Sequence, residues 1–196
     1  FSPPGFFSPP GFFSPPGFFS PPGFFAPPRF CIDQDTPVAT VDESGKLIWK
    51  KASDVQIGDK VWSVSWDGLE NEMDFDPFTW ISDSLENVHM VVSEISNIIE
   101  SVKDITATIN QDEEKRFSLE QTILIKRNNK YFFGTTGVLE IGDTIVERSD
   151  ETGEFIEIEV SEVKLIDEQR KVYEFDAAPH DILIAGGLVV HNKKIF

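Results

Sequence analysis

The sequence predicts an all-β domain with internal twofold repetition, a horseshoe of about ten short strands, preceded by an extended Phe/Pro-rich arm. Three observations carry that prediction. Residues 1–30 are a six-residue repeat that stops at Phe30. From Cys31 onward, short runs of alternating apolar and polar residues are separated by Gly- and Asp-containing turns, the pattern of strands rather than helices. One passage occurs twice: Ala52 to Trp62 and Thr135 to Val146 each carry an Ile-Gly-Asp turn that runs directly into a strand. Repetition of a structural unit within one chain points to two related β halves.

The chain has 196 residues, enough for one domain with a real core. Its 34 acidic and 17 basic residues give a formal net charge of −17. Without a basic patch, such a chain repels a phosphate backbone, so no nucleic-acid partner is expected. No apolar run reaches the roughly 18 residues that a membrane-spanning helix needs, and no membrane partner is expected either. The single cysteine leaves no internal disulfide and no cysteine-based zinc site. No cofactor is expected. A lone Cys in an acidic chain suits a reducing compartment, so the expected location is cytoplasmic, with a phage or virion association as the variant of that reading. The chain opens on Phe rather than Met, so further residues are expected upstream.

The arm contains four copies of Phe-Ser-Pro-Pro-Gly-Phe and a fifth, degenerate copy, Phe25-Ala26-Pro27-Pro28-Arg29-Phe30. It holds ten of the chain's 13 prolines and ten of its 18 phenylalanines, and that concentration decides its conformation. Pro-Pro fixes φ and removes backbone donors, which excludes helix and central strand. Gly recurs every six residues rather than every three, so the repeat is not collagen-like. An extended polyproline II-like or turn-repeat arm is expected. Its paired Phe rings would self-associate or dock on a partner's groove, or else the segment serves as a disordered linker.

Beyond Cys31, strands are expected at 38–41 and 47–50 about a turn at 43–46. Residues 67–86, with Asp74, Asp76, Asp83 and Glu86 around Phe75, Phe78 and Trp80, read as an acidic loop with at most one short helix. Their spacing fits no calcium-binding loop. Two strands, 88–95 and 103–109, should follow, then a strand through 117–126. Thr152-Gly153 should close a hairpin between 143–148 and 154–160.

Chemistry concentrates at the two ends of this β region. Ala185-Gly186-Gly187-Leu188-Val189-Val190-His191-Asn192 is an apolar run that finishes on an adjacent His and Asn. The Asn side-chain nitrogen can attack its own backbone carbonyl, closing a succinimide and cutting the chain after it. The reaction is slow in a free peptide because the amide is resonance-stabilised. A fold accelerates it by holding the carboxamide over the carbonyl, and a neighbouring His can protonate the leaving nitrogen. At the other end Cys31 opens Cys31-Ile32-Asp33-Gln34-Asp35-Thr36-Pro37-Val38-Ala39-Thr40. Its thiolate can attack the preceding carbonyl and form a thioester.

Together the two ends resemble the Hint superfamily of inteins, bacterial intein-like domains and hedgehog autoprocessing domains. In that family a Cys opens the domain, Thr-x-Val-x-Thr follows (here Thr36-Pro37-Val38-Ala39-Thr40) and the last strand ends in Val-His-Asn (here Val190-His191-Asn192). The resemblance covers Cys31 to Asn192. It implies a minimal domain without an endonuclease insert, with Cys31 and Asn192 close in space. The implied organisation is an arm at 1–30, an autoprocessing domain at 31–192 and a flank at 193–196. The implied activity is single-turnover self-cleavage rather than repeated turnover.

The resemblance also implies a site of Cys31, Ser118, Gln121, Glu174, His180, His191 and Asn192, flanked by Phe30 and Lys193. Ser118 and Gln121 stand where the family carries the Thr and His of a Thr-x-x-His motif. Gln donates a hydrogen bond but transfers no proton near neutral pH, which weakens the expected step at Phe30–Cys31. Counting back from Asn192, Glu174 falls at the family's Asp position and Asp181 at its His position. A one-residue bulge would put His180 there instead, with Gly186-Gly187 supplying the slack. Lys193 offers neither thiol nor hydroxyl to accept a thioester, so full splicing is not expected. What remains is cleavage at Phe30–Cys31, or transfer to an outside nucleophile or protein acceptor, and cleavage before Lys193. The alternative is a catalytically weakened fold kept as a structural or interaction module, for instance in a phage-type structural protein.

Overall fold

The computed structural model describes residues 30–66 and 76–192. The Phe/Pro arm at 1–29, the acidic residues 67–75 with Asp74 and Phe75, and the flank 193–196 with Lys193 lie outside the described residues.

The described residues form an all-β domain of fourteen strands: β1 (Ile32–Asp33), β2 (Pro37–Val41), β3 (Leu47–Lys51), β4 (Lys60–Trp66), β5 (Ile81–Ser82), β6 (Val88–Ile109), β7 (Asp112–Phe117), β8 (Thr122–Arg127), β9 (Lys130–Thr135), β10 (Thr144–Arg148), β11 (Phe155–Glu159), β12 (Val163–Ala178), β13 (Ile182–Ala185) and β14 (Leu188–His191). They join in one sheet of order β12-β1-β7-β6-β4-β2-β13-β14-β10-β8-β9-β5, with β3 on β2 and β11 on β10. Extra pairings of β12 with β6, β4 with β13 and β14 with β8 curl this sheet back on itself. Strand edges that would otherwise be open are thereby paired.

The twofold repetition expected from the sequence is present down to individual hydrogen bonds. In the first copy Gly58 N–H donates to Ile95 O at 2.8 Å, Ile95 N–H to Asp59 O at 2.9 Å, and Asp59 N–H to Gln56 O at 3.0 Å. In the second, Gly142 N–H donates to Val160 O at 2.9 Å, Val160 N–H to Asp143 O at 2.7 Å, and Asp143 N–H to Glu140 O at 3.0 Å. Each Asp side chain also accepts the amide three residues before it, Gln56 N–H at 2.9 Å and Glu140 N–H at 2.8 Å. Each takes one cation as well: Lys50 on Asp59 at 3.0 Å, Arg127 on Asp143 at 2.7 Å. Gly58 and Gly142 have φ of +93° and +97°, a conformation in which any other residue would be strained. That is why the motif needs Gly before the Asp.

The strands at 37–41 and 47–51 and the hairpin of β10 with β11 lie where the sequence predicts. Four expectations about the strands need correction. Fourteen strands among the described residues replace the expected number of about ten. The two strands expected at 88–95 and 103–109 are one strand, β6, of 22 residues. The polar stretch between them breaks the apolar alternation but not the strand, because β12 pairs along it from Ile109↔Val163 to Glu94↔Ala178. The acidic segment expected to be a loop contains β5, which pairs Ile81 with Phe132 and Ser82 with Tyr131. The strand expected through 117–126 is interrupted: β7 ends at Phe117, β8 begins at Thr122, and a turn joins them.

The hairpin of β13 and β14 runs through the centre. Its alternate residues belong to two different cores, which explains why it is a continuous apolar run. Leu183, Ala185, Leu188 and Val190 pack with Ile32, Phe117 and Phe175. Ile182, Ile184 and Val189 pack with Ala39, Val64 and Phe133. The loop is Gly186-Gly187, both at positive φ (+59° and +81°) between the paired Ala185 and Leu188, the geometry of a tight two-residue hairpin. The register from Ile182↔His191 to Ala185↔Leu188 is continuous. The slack expected at Gly186-Gly187 is therefore not there. A Cβ on Gly186 would stand 2.4 Å from Glu114 O. The register irregularity nearby lies upstream, between Asp176 and Ala177 on β12.

Candidate functional site

The turn Ser118–Gln121 is the hub of the site. It is closed by Gln121 N–H donating to Ser118 O at 3.2 Å. At its first residue, Cys31 N–H donates to Ser118 Oγ at 3.2 Å and Ser118 N–H donates to Cys31 O at 3.0 Å. At its last residue, Gln121 Nε2 donates to Asn192 Oδ1, His191 O and Thr122 O, each at 3.1 Å. One four-residue turn thus touches the residues at both ends of the β region, which lie 161 positions apart in the sequence. Cys31, Ser118, Gln121, His191 and Asn192 are all buried.

Each end is held by its own elements. Cys31 precedes β1, which is wedged between β12 (Ile32↔Tyr173) and β7 (Ile32↔Phe117). Extending the β1–β12 register by one residue sets Cys31 opposite Glu174, which is buried. Two residues on, the buried Asp33 carboxylate is gripped by Arg170 at 2.9 and 2.8 Å, and Arg170 also holds Asp35 at 2.8 Å. The hydrogen bond to Asp33, joined by that to Asp35, outweighs the cost of burial and raises the Arg170 pKa above its ordinary value. Phe30, the residue before Cys31, is buried against Phe78, ring centroids 6.3 Å apart.

At the other end, Asn192 N–H donates to Asp181 O at 3.1 Å, and Asp181 Oδ1 accepts the Ala177 N–H at 3.0 Å. Alternation sends the side chains of His191 and Asn192 to opposite faces. His191 packs edge-on against Phe133, centroids 5.6 Å apart at 73°. Next to Asp181, after the cis Ala178–Pro179 bond, stands half-buried His180. Ser93 Oγ accepts its N–H at 3.1 Å and Ser63 Oγ donates to its carbonyl at 3.2 Å.

The structure therefore brings Ser118 to Cys31 and Gln121 to Asn192, with Glu174 in register with Cys31. The contacts of the Gln121 amide run to the C-terminal strand. Two buried polar atoms, Gln121 Oε1 and Asn192 Nδ2, have no hydrogen-bond partner among the described residues, an arrangement stability alone does not favour. The sequence reading missed Thr136, whose N–H and Oγ1 donate to Gln121 O at 2.8 and 3.0 Å. The sequence signal was only that Thr136 stands where Ala52 does in the first copy of the repeat; in the structure Ala52 N–H donates likewise to Thr36 O at 3.0 Å. Among the described residues no group of three or more His, Cys, Asp or Glu could hold a metal ion.

Solved structures share this architecture. A DnaB intein from Synechocystis superposes with a TM-score of 0.57 over 83% of this chain and 98% of its own, at 10% identity. The chain has the Hint fold of inteins. An intein from a hyperthermophile gives a TM-score of 0.60 over 82% of this chain and 98% of its own, at 14% identity. A bacterial intein-like domain from Clostridium thermocellum gives 0.53 over 83% and 98%, at 16% identity. No family model matches the chain, and no curated protein matches it. At such low identities the Hint fold rests on backbone course, and the intein-like ends on the residues already named.

Proposed function

We propose that this domain is a self-cleaving, intein-like processing module that cuts at Phe30–Cys31 and after Asn192 without splicing. The observation that carries the reading is the Ser118–Gln121 turn, bonded at one end to Cys31 and at the other to Asn192.

In the first reaction Cys31 Sγ attacks the Phe30 carbonyl carbon. The C–S bond forms, the Phe30–Cys31 C–N bond breaks, and the departing amine takes a proton. That proton is the one the thiol gives up, and Ser118 Oγ, which accepts the Cys31 N–H at 3.2 Å, lies beside the nitrogen that receives it. Water or an outside nucleophile then resolves the thioester. In the second reaction Asn192 Nδ2 attacks the Asn192 carbonyl carbon. The bond to the Lys193 nitrogen breaks, that amine takes a proton, and a succinimide remains. His191 leaves the opposite face of the strand, so it would serve the departing nitrogen from the side away from the attacking carboxamide, with His180 beside Asp181 as the second imidazole. Lys193 has no thiol or hydroxyl to receive the thioester, so the two cuts are separate.

A second reading has an observation of its own. Gln121 stands at the position where the resemblance puts a proton-transferring His, and its amide is bound to Asn192. A fold kept as an interaction module beside the Phe/Pro arm would tolerate that. Intact-mass spectrometry of the purified chain, incubated with and without excess thiol, separates the two. Thiol-dependent release of the arm together with a succinimide-ended domain supports self-cleavage. An unchanged mass under both conditions supports the module.

A further inference from the structure

We propose that Gln121 is a positioning residue for the C-terminal reaction: its carboxamide holds Asn192 in the rotamer from which Nδ2 attacks. The inference rests on the self-cleavage reading and deepens it by giving Gln121 a task at the opposite end from the one its sequence position implies. A primary amide has one acceptor oxygen and one NH2 group. Gln121 Nε2 donates to Asn192 Oδ1 at 3.1 Å, which takes up the oxygen end and directs Nδ2 the other way. Nδ2 is buried, and among the described residues no hydrogen-bond partner competes for its protons. The same Nε2 also donates to His191 O at 3.1 Å, tying the carboxamide to the backbone just before the reacting carbonyl. Gln121 is itself anchored, by Thr136 on its carbonyl at 2.8 and 3.0 Å and by its own N–H on Ser118 O at 3.2 Å. A donor on Oδ1 additionally makes Nδ2–H more acidic, which eases loss of its proton during ring closure.

Asn192 can form a succinimide in two ways, and the choice reads its orientation. If Nδ2 attacks the backbone carbonyl, the Lys193 amine leaves and the chain is cut. If the Lys193 backbone nitrogen attacks Cγ, ammonia leaves, the chain stays intact, and hydrolysis yields an aspartyl or isoaspartyl residue. Gln121 favours the first by holding Nδ2 forward.

The test replaces Gln121 by Met, of similar length with no donor, and by Glu, of the same shape with acceptors only. Intact mass is followed for both cuts and for deamidation. The expected result is a fall of about 10-fold in cleavage after Asn192, a ratio of cleavage to deamidation that shifts toward deamidation, and a smaller change in the thiol-induced cut at Phe30–Cys31. Equal slowing of both cuts with an unchanged ratio, or a loss confined to Phe30–Cys31, overturns the proposal. If the unaltered chain cuts at neither end, the self-cleavage reading fails by itself. The positioning is then judged by NMR of the Asn192 side-chain amide. Side-chain amide protons whose exchange with solvent is slow, and speeds up in Gln121→Met, support it, and exchange unaltered by the substitution overturns it.

Discussion

Cys31 and Ser118 are joined twice: Cys31 N–H donates to Ser118 Oγ at 3.2 Å, and Ser118 N–H donates to Cys31 O at 3.0 Å. The peptide nitrogen that must leave in thioester formation thus lies against a hydroxyl. Ser118→Ala should slow thiol-induced cleavage at Phe30–Cys31 by about 10-fold, the loss of one hydrogen bond, and Cys31→Ala should remove it. The measurement is the fraction cut after incubation with excess thiol, at matched circular dichroism. An unaltered rate in Ser118→Ala would remove Ser118 from the mechanism.

At the other end, Asn192→Ala should abolish cleavage before Lys193, because no side-chain nitrogen remains to close the ring. His191→Ala should slow it by roughly 10²-fold, the lower range of general acid catalysis. Both are read by mass spectrometry on samples with equal folded fractions. Cleavage that persists in Asn192→Ala would point to a contaminating protease.

The hairpin turn gives a stability test independent of any reaction. Gly186→Ala places a Cβ 2.4 Å from Glu114 O at a φ of +59°. Gly45→Ala shares the positive φ, at +87°, with nothing within 4 Å. The first should cost about 2–4 kcal/mol, from strain and the forced shift of a backbone strand, and the second about 1–2 kcal/mol. Urea midpoints of the two variants decide it, and equal losses would mean that the β7 backbone yields freely.

Acid should destabilise the domain through Asp143. Its burial opposes ionisation, but the Arg127 guanidinium and the Glu140 N–H outweigh that and hold its pKa below the ordinary 3.8. A group with a depressed folded pKa binds fewer protons folded than unfolded. Its stabilisation is complete above the ordinary 3.8 and is lost as pH falls through the folded value. Asp143→Asn should therefore lower stability at pH 7 by about 1.5–3 kcal/mol, the range for a hydrogen bond to a charged group. It should also flatten the loss of stability below about pH 4. Urea midpoints across that range test both, and a parallel pH profile in the variant would exclude Asp143 as the source.

What the sequence determined by itself is what depends on local geometry. The Ile-Gly-Asp turns could be read because a positive φ and a side chain that caps nearby amides are requirements of a few neighbouring residues, and both copies obey them. The identities of Cys31, His191 and Asn192 were equally legible, since their chemistry is their own. Tertiary structure decided whatever depends on partners distant in the chain. β6 is one strand because β12 lies beside it, and no alternation within residues 88–109 records that. Gln121 turns to Asn192 because β8 pairs with β14, His191 opposite Thr122, which brings that carboxamide within 3.1 Å of its amide. Hydrogen bonds reach about 3 Å, and only the folded chain sets which groups 71 residues apart fall within that reach.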